Sequence, residues 1–261
     1  MTTPANLASP ARPARRRVTV PTALAVDLGS RTMSVWATHR GTVSGPCGDP
    51  AAATGTLVRR GRIVDVDGCA DLLAQLTSRY PEPVPAGAVV VACRPVLATD
   101  ADQQATRRVL DAVFAPSRVL FLDTVRAAAV GSGAAAGTVL VVDVGAELTE
   151  VGLLTNGRVV AARRTEMGTR DLARGATVDL IADNVVRHVE DLRHDPGAAG
   201  VATALARGVL LVGDGAVHPG LAPAVAQGLR VRVHRAAAPR TAAINGAGLA
   251  AMSLLRHPGR S

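Results

Sequence analysis

The sequence predicts an α/β protein built from two similar halves. Val-rich apolar runs bounded by Gly alternate with segments of helical periodicity, a pattern typical of sheets flanked by helices. Segment 22–43 (TALAVDLGSRTMSVWATHRGTV) aligns without gaps with segment 138–160 (TVLVVDVGAELTEVGLLTNGRVV). Asp27 and Asp143, in equivalent Asp-x-Gly turns, are 116 residues apart, and the other matches keep this offset. The shared offset favours an internal duplication.

The first half is predicted to begin with a strand, a tight turn and a second strand, followed by a Gly- and Pro-rich loop at 44–55. Thr99 and Asp102 have the spacing of a helix-capping box, which places the start of a helix there. The further predicted elements are a helix at 71–80, a strand at 88–93, a strand at 118–122 and a helix at 125–130.

The second half repeats this alternation after its own strand–turn–strand unit. The predicted elements are a helix at 177–193, a strand at 208–215 that runs into a Gly turn, a strand at 230–234 and a small-residue helix at 241–255. We therefore expect a disordered Arg/Pro/Ala tail at 1–21, a first lobe at 22–137, a second lobe at 138–240, and a terminal helix at 241–261 that packs back on the first lobe.

Composition limits the classes of partner. The net charge is +8, and all 29 basic residues are Arg. This balance is typical of a scattered positive surface, and it permits peripheral contact between the Arg-rich tail and an anionic membrane. No aromatic residues interleave with a basic patch, so we expect no nucleic-acid partner. Three isolated cysteines and no apolar run long enough to span a bilayer favour a cytoplasmic protein, and membrane association of that protein stays open.

Three Gly-containing turns that follow strands are the candidate functional residues. They are Asp27–Gly29, Asp143–Gly145 and Gly213–Gly215. Backbone at Gly can approach a phosphate closely and point its N–H groups at the anion. Asp27 and Asp143 are also candidate catalytic residues, and each could hold Mg²⁺ through water. The pair of turns in a duplicated context, with a third turn, predicts phosphate binding between the two halves.

The order of these motifs resembles the actin/Hsp70/sugar-kinase superfamily. VDLGSRT and VVDVGAELTEV resemble its two phosphate motifs, LLVGDGAVHPGLAPAV its adenosine motif, and FLDTVRAAAVGSG and TAAINGAGLAAM its connecting helices. Within the superfamily the sequence is most similar to the rod-shape-determining bacterial actins (MreB-like). The resemblance implies a duplicated actin-like ATPase core with ribonuclease H-like lobes, and ATP with Mg²⁺ as cofactors. The implied cofactor-binding residues are Asp27, Gly29, Ser30, Arg31, Asp143, Gly145, Ala146, Glu147, Thr149, Gly213, Asp214 and Gly215.

The sequence departs from the family pattern in length and in each phosphate-facing motif. It is shorter after the first hairpin and around 168–207, where the family has two small outer subdomains, so we expect these to be reduced. By the same resemblance, the second of these losses removes the family element that supplies side chains to one wall of the adenine and ribose pocket. The family's Asp-x-Gly-Gly-Gly-Thr-Thr is DVGAELT at 143–149, and its Gly-Gly-Gly is Gly-Asp-Gly at 213–215. The connector Glu-Glu-Pro, whose second Glu helps to position water, is Asp-Thr-Val at 123–125.

These departures place carboxylates near phosphate, where like charges about 4 Å apart repel by roughly 4 kcal/mol at an effective dielectric of 20. Arg31 could offset this as a phosphate contact or could simply face solvent. We expect weak nucleotide binding and little hydrolysis in a cell-shape scaffold or modulator whose partners are a full-length actin-like homologue or cell-wall morphogenesis proteins. The alternatives are an active, polymerising ATPase of the rod-shape actin type and a small-molecule kinase of the same superfold.

Overall fold

A computed structural model of the protein describes residues 22–48 and 55–256. The predicted tail at 1–21 lies outside this part of the chain. The strands are β1 Ala23–Leu28, β2 Thr32–Ala37, β3 Gly41–Pro46, β4 Val58–Arg59, β5 Arg62–Ile63, β6 Val89–Arg94, β7 Arg118–Asp123, β8 Thr138–Val144, β9 Thr149–Thr155, β10 Arg158–Thr165, β11 Val209–Val212 and β12 Val233–Arg235. The helices are α1 Val66–Thr77, α2 Asp100–Phe114, α3 Thr124–Gly131, α4 Val178–Arg193, α5 Val201–Arg207, α6 Leu221–Leu229 and α7 Ala242–Arg256.

Ten of these strands form two five-stranded sheets with the same topology. The orders are β3-β2-β1-β6-β7 and β10-β9-β8-β11-β12, and β4 pairs with β5 in a separate hairpin. In both large sheets the first three strands are antiparallel and the last two run parallel to the central strand. We call each sheet with its packed helices a lobe. The predicted α/β architecture is confirmed, while the exact residue limits of the lobes stay a prediction.

The duplication extends to the register of the strands. Val26 pairs with Val35 across β1 and β2, and Val142 pairs with Val151 across β8 and β9. Each residue of the second pair lies 116 positions after its equivalent in the first. Because a slip of one residue would turn every side chain to the other face of the sheet, this shared register places Asp27 and Asp143 equivalently.

Helices cover the two sheets in separate hydrophobic cores. α1 and α2 pack on one face of the first sheet, and α4, α5 and α6 pack on one face of the second. Capping residues define the helix starts: Asp65 accepts from the N–H of Gly68, and Thr99 forms the predicted capping box with Asp102. The cap at Asp65 explains why α1 begins at Val66, five residues before the predicted start.

A third core joins the lobes at the base of the cleft. It contains α3 and α7 together with residues of both sheets, and α7 packs on β1 and β6 of the first sheet. The two helices approach each other at glycines. A Cβ at Gly246 would lie 1.8 Å from the carbonyl oxygen of Ala127, and one at Gly131 would lie 2.0 Å from that of Ala242. Only glycine permits backbones to come this close.

The connections where outer subdomains would be inserted are short. Residues 55–65 contain only the β4–β5 hairpin, a six-residue 3₁₀ segment lies between β10 and α4, and seven residues link α4 to α5. Neither the hairpin nor α5 was predicted from the sequence, since both are too brief to show a periodicity. Within the described residues no helix has the length and apolarity required to cross a bilayer.

Candidate functional site: the cleft between the lobes

The three predicted turns meet in one cavity between the lobes. This cavity has a volume of about 320 Å³, at the lower end of the roughly 300–1,000 Å³ typical of ligand pockets. Of the predicted cofactor-binding residues, all except Thr149 and Gly215 line it: Asp27, Gly29, Ser30, Arg31, Asp143, Gly145, Ala146, Glu147, Gly213 and Asp214. The structure thus brings together residues that are almost 190 positions apart in sequence.

Thr149 and Gly215 have structural roles beside the cavity. The hydroxyl of Thr149 is buried and donates to the carbonyl oxygen of Met167 at 2.9 Å. A Cβ at Gly215 would lie within 2.6 Å of the side chains of Leu221 and Val144, so glycine is required for packing there. Gly213 combines both features, because its φ is +81° and a Cβ would lie 2.2 Å from Oδ1 of Asp143.

The first two turns have the same hydrogen-bonded geometry. The N–H of Gly29 donates to the carbonyl of Thr32 at 3.1 Å, and that of Gly145 donates to Leu148 at 2.8 Å. These glycine N–H groups are therefore already satisfied. The N–H groups that follow them, at residues 30–31 and 146–147, have no acceptor in the described part of the chain. Such groups are able to donate to an anion.

A cluster of buried carboxyls forms the floor of the cleft. Burial raises the pKa of Asp27 to about 6 and that of Asp143 to about 7, and for Asp143 the charges of Asp27 and Asp214 add to the effect. Glu150, the cross-strand partner of Asp143, also has its pKa raised well above its usual range by burial and by Asp143. Oε1 of Glu150 accepts from the N–H of Val96 in the other lobe at 2.5 Å.

Glu150 was not among the residues predicted from the sequence, although the duplication could have identified it. Its equivalent in the first lobe, 116 residues earlier, is Ser34, and Ser34 also lines the cleft. The described residues contain no group of three or more His, Cys, Asp or Glu side chains placed to share a metal ion. A Mg²⁺ ion held through water by Asp27 and Asp143 therefore stays a prediction.

Asp214 is held between two arginines. Nε of Arg31, from the first turn, donates to Oδ2 of Asp214 at 2.7 Å, and Nε of Arg240 donates to Oδ1 at 2.9 Å. Arg31 also donates to the hydroxyl of Thr169 at 3.3 Å. Although the Arg31 side chain is 45% exposed, it is bound to the other lobe. The carboxylate predicted to lie near a phosphate is thus paired with Arg31, for which the sequence left a phosphate contact and a solvent-facing position open.

Glu147 is also paired, but with a segment that the sequence did not predict. The tip of the β4–β5 hairpin, Arg60 and Gly61, has positive φ at both residues and lies over the second turn. The Arg60 N–H donates to Oε2 of Glu147 at 3.1 Å, and Arg170 approaches Oε1 at 3.4 Å. Glu147 is only 3% exposed, so these partners offset a large desolvation cost.

The connector before α3 presents a hydroxyl to the cleft. Thr124 lines the cavity and donates to the carbonyl oxygen of Arg94 at 2.9 Å. The neighbouring Asp123 forms an ion pair with Nε of Arg94 at 2.8 Å and is not among the cavity residues. The connector therefore supplies no carboxylate to the cavity, in agreement with the departure seen in the sequence.

A larger open concavity of about 1030 Å³ lies on the second lobe, between the C-terminal ends of α4, α5 and α6. It contains none of the predicted site residues. The C-terminal ends of strands β8 and β11 point at the cleft. This concavity is lined by residues that precede β11 and β12, so it lies at the opposite end of these strands from the three turns. The convergence of the turns, rather than cavity size, identifies the candidate site.

Comparisons with known proteins agree with this architecture. The MreB/Mbl protein family matches residues 52–175, just under half of the chain. MreB5 of Spiroplasma citri bound to AMPPNP has 15% sequence identity and a TM-score of 0.78, over 91% of this chain and 98% of that chain. The MamK double helical filament has 16% identity and a TM-score of 0.71, over 89% and 99%.

A third structure broadens the comparison. The ethanolamine utilization protein EutJ from Carboxydothermus hydrogenoformans has 16% identity and a TM-score of 0.65, over 90% of this chain and 91% of that chain. No curated protein matches the sequence. The duplicated sheets, the paired Asp turns facing one cleft and the similar structures lead to one conclusion: the chain has the fold of the bacterial actin-like proteins, and it is similar to the MreB/Mbl family over residues 52–175.

Proposed function

We propose that this protein is an actin-like, cell-shape or cytoskeletal scaffold whose cleft binds ATP weakly and hydrolyses it slowly or not at all. The observation that carries the proposal is the set of carboxylates in the cleft. Glu147 and Asp214 lie at the two turns where a nucleotide phosphate would bind, and both line the cavity. An incoming triphosphate must therefore displace arginines from these carboxylates or bind beside their negative charge.

Slow hydrolysis follows from the connector. Thr124 replaces the carboxylate that would position water, and removal of such a group commonly lowers a rate by about 10²–10⁴-fold. Asp27, Asp143 and Glu150 remain in the cleft as possible substitutes. However, burial raises the pKa of each, so near neutral pH a larger fraction of these carboxyls is protonated than of free ones, and a protonated carboxyl is a poor metal ligand.

An active, polymerising ATPase is the second candidate, and one observation favours it. The N–H groups at 30–31 and 146–147 have no acceptor among the described residues, so each Asp turn keeps donors for a phosphate. The similar structures include a protein bound to AMPPNP and a double helical filament. For both candidate functions we propose that the protein associates with itself or with another actin-like protein. We also propose peripheral membrane contact through the Arg-rich tail.

Calorimetric titration with ATP and Mg²⁺ separates the two candidates. We expect the unaltered protein to bind with a Kd well above the low micromolar range. Glu147→Gly combined with Asp214→Gly should tighten binding, since it removes two negative charges and frees Arg31 and Arg240. Asp195→Asn is the matched control, because Asp195 pairs with an arginine at 2.8 Å but lies outside the cleft. Low micromolar binding by the unaltered protein, or no gain in the double variant, contradicts the proposal.

A further inference from the structure

We propose that the Asp214 carboxylate is a built-in ligand of an anion site formed by Arg31 and Arg240, and that it joins the two lobes without nucleotide. The inference rests on the proposed function in one respect: it takes the nucleotide phosphate to belong at these same turns. Arg31 follows β1 in the first lobe, whereas Asp214 follows β11 in the second. Their ion pair therefore crosses the cleft.

The geometry is that of a bound anion. Each Asp214 oxygen accepts from a different guanidinium, at 2.7 Å from Arg31 and at 2.9 Å from Arg240. The Asp214 side chain is 12% exposed, while the two arginine side chains are 45% and 62% exposed. Two cations converging on one largely buried carboxylate reproduce the arrangement that arginines form around a phosphate.

A second set of contacts joins the lobes at the other edge of the cleft. Arg60 of the β4–β5 hairpin forms two parallel hydrogen bonds with Asp171, at 2.7 and 2.8 Å, and its N–H donates to Glu147. Arg62 of the same hairpin pairs with Glu166 at 3.0 Å. The bidentate pair fixes orientation as well as distance. First-lobe cations thus meet second-lobe carboxylates at two separate places.

These contacts change what nucleotide can do. In a cleft that is open without ligand, phosphate bound between the lobes favours the closed state by the difference in its affinity for the two states. Here the closed state already has its bridging anions, supplied by Asp214 and Asp171. ATP must compete with Asp214 for Arg31, and its binding should change the separation of the lobes little.

Distances between spin labels on the two lobes test this directly. Asp71→Cys on α1 and Asp183→Cys on α4 introduce exposed labelling sites, and the three native cysteines are buried. Without nucleotide, we expect one narrow distance distribution that ATP and Mg²⁺ leave unchanged. Asp214→Asn and Arg31→Gln should each broaden it. Arg163→Gln, which breaks a 2.8 Å ion pair within the second lobe, is the control and should leave it narrow.

A broad distribution in the nucleotide-free protein that narrows on addition of ATP would overturn the inference. If either variant is unfolded by circular dichroism, Arg31→Ala provides a second measurement, since this half-exposed side chain can be shortened with little loss of packing. The distribution should again broaden; an unchanged distribution overturns the inference. Calorimetry on the same samples separates the two proposals. If ATP binds tightly and the distance distribution without nucleotide is narrow, only the proposal of weak binding is contradicted. If ATP binds weakly and that distribution is broad, only the proposal that Asp214 joins the lobes is contradicted.

Discussion

Replacing Asp143 by Asn should stabilise the protein at alkaline pH and have little effect at acidic pH. Asp143 is 9% exposed in the floor of the cleft, and burial together with Asp27 and Asp214 raises its pKa to about 7. In the unfolded chain its pKa is the ordinary 3.8. The folded state therefore holds a proton that the unfolded state has lost throughout the interval between these two values.

The sign follows from proton linkage. Between about pH 4 and pH 7 the folded state binds more protons, so the free energy of unfolding falls as pH rises through this window and is level above it. A shift of about three pKa units corresponds to about 4 kcal/mol. Asp27 and Asp214 repel the Asp143 carboxylate, so part of the free energy gained in Asp143→Asn comes from the loss of this repulsion. We expect a gain of about 2–4 kcal/mol at pH 8 that falls to about 1 kcal/mol or less at pH 4.5.

Urea unfolding at a series of pH values measures this difference. The free energy of unfolding of Asp143→Asn minus that of the unaltered protein should increase from pH 4.5 to about pH 7 and then level off. Asp183→Asn, an exposed carboxyl on α4, is the matched control and should give a flat difference. A flat difference for Asp143→Asn, or a loss of stability at pH 8, would refute the reasoning.

Further predictions concern binding, packing, capping and assembly. ATP binding measured by calorimetry should tighten from pH 8 to pH 6, since Asp27 and Asp143 take up protons there and the cleft becomes less negative; weaker binding at pH 6 would contradict this. Gly246→Ala places a Cβ 1.8 Å from a carbonyl oxygen and should cost at least about 1–3 kcal/mol in urea unfolding, whereas Gly55→Ala, with open space around it, should be neutral. Thr99→Ala removes the capping box of α2 and should cost about 1 kcal/mol by the same assay; no change would show that the cap is unimportant. In sedimentation with and without ATP we expect monomers or small oligomers, because short connections replace the outer subdomains and less area is available to offset the cost of association; long ATP-dependent filaments would favour the polymerising ATPase.

The fold could be predicted from the sequence because its strongest signals are repeated. The Asp27 and Asp143 turns, with matching residues at one offset, determine both sheets, and the capping box at Thr99 locates a helix start to the residue. Boundaries were less certain where the determinant is a single local contact. α1 starts five residues early because Asp65 caps it, and β12 begins at Val233 rather than Arg230 because Arg230 adopts positive φ at the end of α6.

The residues that line the site were predicted better than the contacts that they make with one another. Sequence motifs named ten residues that line the cavity, because each motif is contiguous and each turn follows a strand. The pairing of Glu147 with Arg60 and of Asp214 with Arg240 could not be predicted in the same way. Arg60 reaches the second lobe from the tip of the β4–β5 hairpin, whose strands have only two residues each. Arg240 lies between β12 and α7, outside the three turns. Both contacts depend on how the lobes meet, and no local pattern encodes that arrangement.

The glycine crossing of α3 and α7 has a mechanical consequence. At Gly131 and Gly246 backbone meets backbone, so no flexible side chain is present there to absorb a displacement. Rotation of one lobe against the other must therefore pivot about this crossing, and the displacement of any atom increases with its distance from the pivot. The ion pairs that cross the cleft, Arg31 with Asp214 and Arg60 with Asp171, are not among the residues of the core around this crossing. A rotation of the lobes would consequently be felt at these ion pairs while the crossing itself stays fixed.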